Sequence, residues 1–147
     1  MLRQSEGGKM RKRTVVVLAF LVAVVLAACS TNSGGLTGKV WQLTSITEKT
    51  PAFQGVVPAA DQANYTMEFK TDDTFSAKAD CNMVGGSYKA TSSGGLTIVP
   101  GPSTLVACPE GSLGQQYVAG LSAAASYAIA SNQLTITLTD GGTLVYK

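Results

Sequence analysis

The sequence predicts an α+β fold: a curled antiparallel sheet of about seven or eight strands, a partly closed barrel, packed on a single helix. From Leu36 onward apolar side chains recur at every second position, in short runs separated by Gly, Asp, Asn and Ser. That is the pattern of antiparallel strands with one buried face. Only Leu113, Tyr117, Leu121 and Ala124 recur at helical spacing. A single helix cannot cover a long open sheet, so the sheet must curl around it and bring its edges together.

The run at Trp41, Leu43 and Ile46 predicts a first strand with a bulge, because Ile46 breaks strict alternation. Tyr65, Met67 and Phe69 alternate with Thr66, Glu68 and Lys70, and Phe75, Ala77 and Ala79 with Ser76, Lys78 and Asp80. Thr71-Asp72-Asp73-Thr74 between them has hairpin-turn composition. Tyr88 and Ala90 continue the pattern after Gly85-Gly86, Ser92-Ser93-Gly94-Gly95 makes a turn, and Leu96 and Ile98 point inward. Pro100-Gly101-Pro102 is expected to end that strand, since proline cannot donate to a ladder. At the helix, Ser112 followed by Gln115 has the form of a capping box. Gly114 and Gly120 weaken the helix by about 1 kcal/mol each relative to alanine. Strand alternation returns with Tyr127 and Ile129, turns at Ser131-Asn132, resumes through Leu134, Ile136 and Leu138, turns at Asp140-Gly141-Gly142, and finishes with Leu144 and Tyr146. Leu113, Tyr117 and Leu121 are expected on the concave side, meeting Trp41, Phe69, Phe75, Tyr88 and Tyr127.

The N-terminal segment speaks to location. Arg11-Lys12-Arg13, an apolar run from Val15 to Ala28 and the small residues Ala27-Ala28 describe an export signal. The run falls short of the about 20 apolar residues that cross a bilayer. Leu26-Ala27-Ala28-Cys29 resembles the lipobox of bacterial lipoproteins. That resemblance implies a signal peptide over 1–28, for which a start at Met10 would suffice, and a mature N-terminus at Cys29 carrying lipid such as palmitate. Residues 29–35 then form a flexible tether and 36–147 the folded domain. The six residues Ser30 to Gly35 reach at most about 20 Å, so the domain is expected close to its membrane, on the extracytoplasmic face.

Processing at Cys29 changes the charge. The formal net charge is +2, but beyond Cys29 the chain keeps six lysines, eight carboxylates and no arginine. A mildly acidic chain without arginine argues against nucleic acid as a partner. Cysteine arithmetic also closes. Of three cysteines, lipidation of Cys29 leaves Cys81 and Cys108 as the one available pair. An envelope compartment permits that disulfide; two buried free thiols are the alternative. With no histidine and no Cys-x-x-Cys spacing, no metal site and no cofactor are expected.

A wider resemblance covers the domain. Asp80-Cys81-Asn82 followed by Gly85-Gly86-Ser87-Tyr88, then Thr104-Leu105-Val106-Ala107-Cys108-Pro109, then Leu121 to Tyr127, and the ending Asp140-Gly141-Gly142-Thr143-Leu144, resemble the META domain of HslJ-type heat-shock lipoproteins. Gly38 to Leu43 lies near that family's Gly-x-Trp-x-Leu opening. The resemblance implies a structural motif of Asn82, Gly86, Ser87, Tyr88 and Pro109. It further implies a curled sheet on one helix, envelope residence, a role in stress or antibiotic tolerance, and no established enzymatic activity. Two departures stand out: Asp80 where the family has glycine, and Lys39-Val40 before the tryptophan.

Without histidine, Ser-His-Asp and Cys-His sites are excluded. Paired carboxylates remain, Glu68, Asp72, Asp73, Asp80 and Glu110, but Asp72 and Asp73 sit in a predicted turn and Glu68 on an outward face. A Ser-Lys dyad through Lys78 or Lys89 competes with simple solvation, because both lysines alternate outward with Ser76 and Ser87. The protein is therefore expected not to be an enzyme. Asn82 is expected to fix the turn after Cys81 rather than to bind something. Trp41, Phe69, Phe75, Tyr88, Tyr117 and Tyr127 are expected to pack as core rather than to line a slot. Two readings follow: a monomeric structural or interaction module with an envelope protein as partner, or a binding module for a lipid or amphipathic drug between sheet and helix.

Overall fold

The computed structural model describes residues 35–147, in which nine strands form one antiparallel sheet. The strands are β1 (Val40–Lys49), β2 (Ala52–Val56), β3 (Tyr65–Phe69), β4 (Thr74–Ala79), β5 (Asn82–Ala90) and β6 (Leu96–Ser103), followed after the helix α1 (Gly114–Ser122) by β7 (Ala124–Ala130), β8 (Gln133–Leu138) and β9 (Thr143–Tyr146). Their order across the sheet is β6-β5-β4-β3-β1-β9-β8-β7, with β2 paired to the C-terminal half of β1. The signal segment, Cys29 and the tether up to residue 34 lie outside the described residues.

The sheet curls until its two edge strands meet at one end. Gly95 bridges Ser126 there, and the Tyr127 N–H donates to the Gly94 carbonyl at 2.8 Å. Among the described residues no longer ladder joins β6 to β7, and α1 packs against β6, β1 and β4. The antiparallel registers sort the connections into two ends. At the near end stand the entering chain (Thr37 bridged to Phe69), the β3–β4 and β5–β6 turns, Ser131-Asn132, and Lys147 paired with Gln42. At the far end stand the β1–β2, β4–β5 and β8–β9 turns and the 104–113 segment leading to α1.

Local sequence explains most elements. The inward sets Tyr65, Met67, Phe69 and Phe75, Ala77, Ala79 are all buried, paired in register across β3 and β4. The break before Ile46 is a bulge opposite β9, between Leu43 and Ser45. Ser131 and Asn132 both adopt left-handed angles, φ 49° and 63°, as a two-residue hairpin requires. Lys39 finds a role too. Its ammonium lies 3.9 Å from the centre of the Trp41 ring and donates to Asn132 Oδ1 at 2.6 Å.

Four expectations are corrected. First, β6 does not end at Pro100-Gly101-Pro102 but runs through them to Ser103, because an edge strand can turn a missing N–H away from its neighbour. Second, β5 begins at Asn82, and Gly85-Gly86 lies inside it at a register shift against β6. A Cβ on Gly86 would run into the Val99 carbonyl and come within 2.6 Å of the Phe75 ring. Third, β2 was not anticipated; it buries Gly55 and half-buries Phe53, too little for an alternation signal. Fourth, the capping box does not form. The Leu113 N–H is held by the Tyr65 hydroxyl at 3.0 Å, the helix starts at Gly114, and Ser112 Oγ accepts only the Gly114 N–H at 3.2 Å.

The helix is seated deeply. Tyr117 and Leu121 are fully buried, and a Cβ on Gly114 or Gly120 would lie 2.9 Å from the Ala79 carbonyl or from Leu144 Cδ2. Tyr117 stands between Tyr65 and Tyr146, each with ring centres 6.3 Å away. Its hydroxyl donates to the Thr66 carbonyl at 3.1 Å and accepts from Tyr146 at 3.4 Å. The ring partners of Tyr117 are thus Tyr65 and Tyr146, neither of them in the expected set of Trp41, Phe69, Phe75, Tyr88 and Tyr127, of which Phe69 and Tyr88 pair with each other. Those two form their own edge-on pair, centres 4.8 Å apart, with the Tyr88 hydroxyl on the Lys70 carbonyl at 2.7 Å. Among the described residues the buried apolar side chains, from Leu36 to Tyr146, form one core cluster.

Phe69→Ala should cost on the order of 3 to 5 kcal/mol in urea unfolding, the range for removing a buried aromatic. Gly86→Ala should cost about 1 to 3 kcal/mol by overpacking. A negligible loss in either would contradict the packing described.

Candidate functional site

Between Ser103 and α1 the chain crosses the far end as a strap, residues 104–113, and the chemistry-bearing motif residues gather beneath it. Cys81 and Cys108, 27 residues apart, are joined by a disulfide with Cα atoms 5.5 Å apart. In the chain-entropy account such a closure stabilises by about 3 to 4 kcal/mol. Next to it, Asn82 holds the strap as a backbone peptide would. Its Oδ1 accepts from the Val106 N–H at 2.7 Å and from Thr104 Oγ1 at 2.9 Å, while its Nδ2 donates to the Val106 carbonyl at 2.9 Å. Thr104 completes the clamp, donating its N–H to the Met83 carbonyl and accepting the Met83 N–H, both at 3.0 Å.

Asn82 therefore does not fix the turn after Cys81, as expected from sequence. Asp80 and Cys81 make that turn, with Asp80 at φ 61°, and Asn82 is already the first residue of β5. Aspartate tolerates left-handed angles, so the chain turns at Asp80 without a glycine there. The other motif residues divide. Pro109 belongs to the strap and is exposed, its carbonyl accepting the Ser112 N–H at 3.2 Å. Gly86 and Tyr88 shape the sheet, and Ser87 is exposed on its outer face, away from the strap.

The clamp fixes an apolar surface. Leu105 is 93% exposed, Val106 60% and the neighbouring Met83 47%. Between strap and helix runs an open groove of about 810 Å³, lined by Ala79, Val84, Leu105, Pro109, Gln115 and Val118. On the other side of Pro109–Ser112 a second groove of about 550 Å³ is lined by Val56, Pro58, Asp61, Asp80 and Glu110. Sequence reasoning named Cys81, Asn82 and Cys108, but nothing local tied Asn82 to Thr104 and Val106.

Of the candidate carboxylates, Asp80 and Glu110 line one groove at the far end, whereas Asp72 and Asp73 lie in the β3–β4 turn at the near end and Glu68 is exposed on β3. Asp72 accepts the Thr74 hydroxyl at 2.6 Å and the Thr74 N–H at 3.1 Å, bonds that hold its pKa below the ordinary value. Asp140 accepts N–H groups of Gly142 at 2.7 Å, Lys49 at 2.6 Å and Thr50 at 3.0 Å, and these likewise lower its pKa. One stands at the near end, the other at the far end. Lys78 donates to Asn64 Oδ1 at 2.7 Å, and Lys89 and Ser87 are exposed. Trp41, Phe69, Phe75, Tyr88 and Tyr117 are buried and Tyr127 half-buried, so the set packs as core.

Fold and site define a small one-helix half-barrel whose crossover strap is pinned by a disulfide and an asparagine. The META domain matches residues 34–147, and the chain belongs to that family. Among solved structures, the chain is similar to a protein from Burkholderia xenovorans studied by NMR (23% identity, TM-score 0.62, 78% of this chain and 84% of that one). It is also similar to a DUF4847 family protein from Bacteroides vulgatus (15% identity, TM-score 0.53, 76% and 92%). Both likenesses concern the fold. In both the matched region is most of the other chain. Among curated proteins none matches the sequence.

Asn82→Ala should loosen the strap and destabilise the oxidised domain by about 1 to 3 kcal/mol, because it strips partners from Val106 and Thr104; unchanged denaturant midpoints would contradict the clamp. The lowered Asp140 pKa gives stability present above the ordinary 3.8 and lost as pH falls through the folded value. Asp140→Asn should accordingly flatten the acid limb of stability against pH, and an unaltered limb would count against these bonds.

Proposed function

We propose that the protein is a lipid-anchored, non-enzymatic module of the cell envelope, serving a structural or interaction role in tolerance of stress or antibiotics. The observation that carries the interaction role is the strap: Leu105 and Val106 are exposed, yet the backbone beneath them is fixed by a disulfide and a three-bond asparagine clamp. Apolar side chains presented on a rigid backbone and flanked by polar groups are features of an interaction surface. The anchor rests on Leu26-Ala27-Ala28-Cys29, outside the described residues. The stress role rests on the resemblance to HslJ-type lipoproteins.

Anchor and fold together suggest an orientation. The chain enters the domain at the near end, at Leu36 and Thr37, and a tether of about 20 Å at most keeps that end toward the membrane. The strap, at the other end of the strands, then faces away from the lipid surface. The second reading, an apolar ligand between sheet and helix, draws on the groove of about 810 Å³ beside Val118. Against it, Tyr117, Leu121 and Tyr146, which pack between sheet and helix, are fully buried.

A photo-crosslinking residue in place of Leu105 should capture one defined envelope protein in cells, whereas the same residue in place of Ser131 at the near end should not. Cys29→Ala should abolish both palmitate labelling and that capture. Normal labelling of the variant would refute the anchor, and equal capture from both ends would refute the strap as the interaction surface.

A further inference from the structure

Resting on the interaction reading above, we propose that the two strap grooves take a cationic amphipathic segment of a partner protein. The apolar component is the exposed Leu105 and Val106 with the Val84 and Val118 walls of the larger groove. Its charge is set by the adjoining groove, where Asp61, Asp80 and Glu110 stand among Val56 and Pro58. The two grooves share Pro109, Gly111 and Ser112, so a chain lying over that saddle meets apolar side chains on one side and carboxylates on the other.

The carboxylates are not occupied from within. Asp72 and Asp140 are taken up by turn N–H groups, whereas among the described residues no side chain or N–H donates to the carboxylates of Asp61, Asp80 or Glu110. Among the described residues no lysine lines either groove, and Lys78 is held by Asn64 at the edge of the second one. A surface of this kind repels anionic lipid and nucleic acid, and it repels the same end of a second copy. Lysine or arginine alternating with leucine-like side chains complements it on both counts.

The test uses oxidised residues 35–147, whose buried side chains form one core cluster, and a fluorescent peptide of alternating leucine and lysine. Anisotropy should report binding that weakens with salt. Asp61→Asn with Glu110→Gln should weaken it about three- to tenfold, and Leu105→Ser by a similar factor, with thermal unfolding of the variants unchanged. A leucine–glutamate peptide that binds equally, or variants that bind as the parent does, would overturn the proposal. So would stronger binding to phosphatidylglycerol vesicles, or a Leu105-dependent dimer in sedimentation. If the peptide fails while the Leu105 crosslink still captures a defined partner in cells, the partner's chemistry is wrong and the interaction reading survives. If both fail, the interaction reading falls as well.

Discussion

The constraint on which the fold depends is the seat of α1, the only α-helix among the described residues. A sheet curled through eight strands joins its edges at one end only, and α1 packs where they part. It can lie that close because Gly114 and Gly120 have no Cβ to strike the Ala79 carbonyl and the Leu144 side chain. The glycines that lower helix propensity by about 1 kcal/mol each therefore permit the burial that holds the helix in place. Tyr117 then bonds to Thr66 and Tyr146, linking the helix to β3 and β9 from inside the core. With nine residues and no side-chain cap, α1 owes its stability to this tertiary seat rather than to its own sequence.

A helix placed this way has to be delivered across the far end, and that is the strap's work. The chain leaves edge strand β6 at Ser103 and must reach Gly114 without burying unpaired backbone. Cys81–Cys108 and the Asn82 amide pin its first half, and Tyr65 takes the Leu113 N–H at its end. Because the segment is fastened from below through backbone atoms, the side chains of Leu105 and Val106 are left pointing away. The same geometry that seats the helix thus creates the apolar surface.

Much of this was legible in the sequence, for identifiable reasons. The β3–β4 hairpin, the bulge before Ile46 and the Ser131-Asn132 turn rest on nearest-neighbour pattern, and they stand where the pattern placed them. Counting left Cys81 and Cys108 as the one available pair once Cys29 was set aside, bridged or as free thiols, and the structure joins them. What failed depended on position in the sheet. Prolines at 100 and 102 read as a stop because the pattern does not reveal that β6 is an edge. The capping signal at Ser112 lost to a tyrosine hydroxyl 48 residues away. Asn82 was read as a turn former because its partners, Thr104 and Val106, lie more than 20 residues on. Carboxylates read as turn residues, Asp72 and Asp73, proved to be so.

Recognition at the far end requires the strap to be a fixed surface rather than a loose loop. Native-state amide exchange on the oxidised domain decides this at single residues. The Val106 and Thr104 N–H groups, bonded to Asn82 Oδ1 and the Met83 carbonyl, should exchange far more slowly than that of Leu105 between them, and should speed up when Cys81–Cys108 is reduced. Uniformly fast exchange across 104–106 in the oxidised protein would contradict the clamp and, with it, the surface proposed to meet a partner.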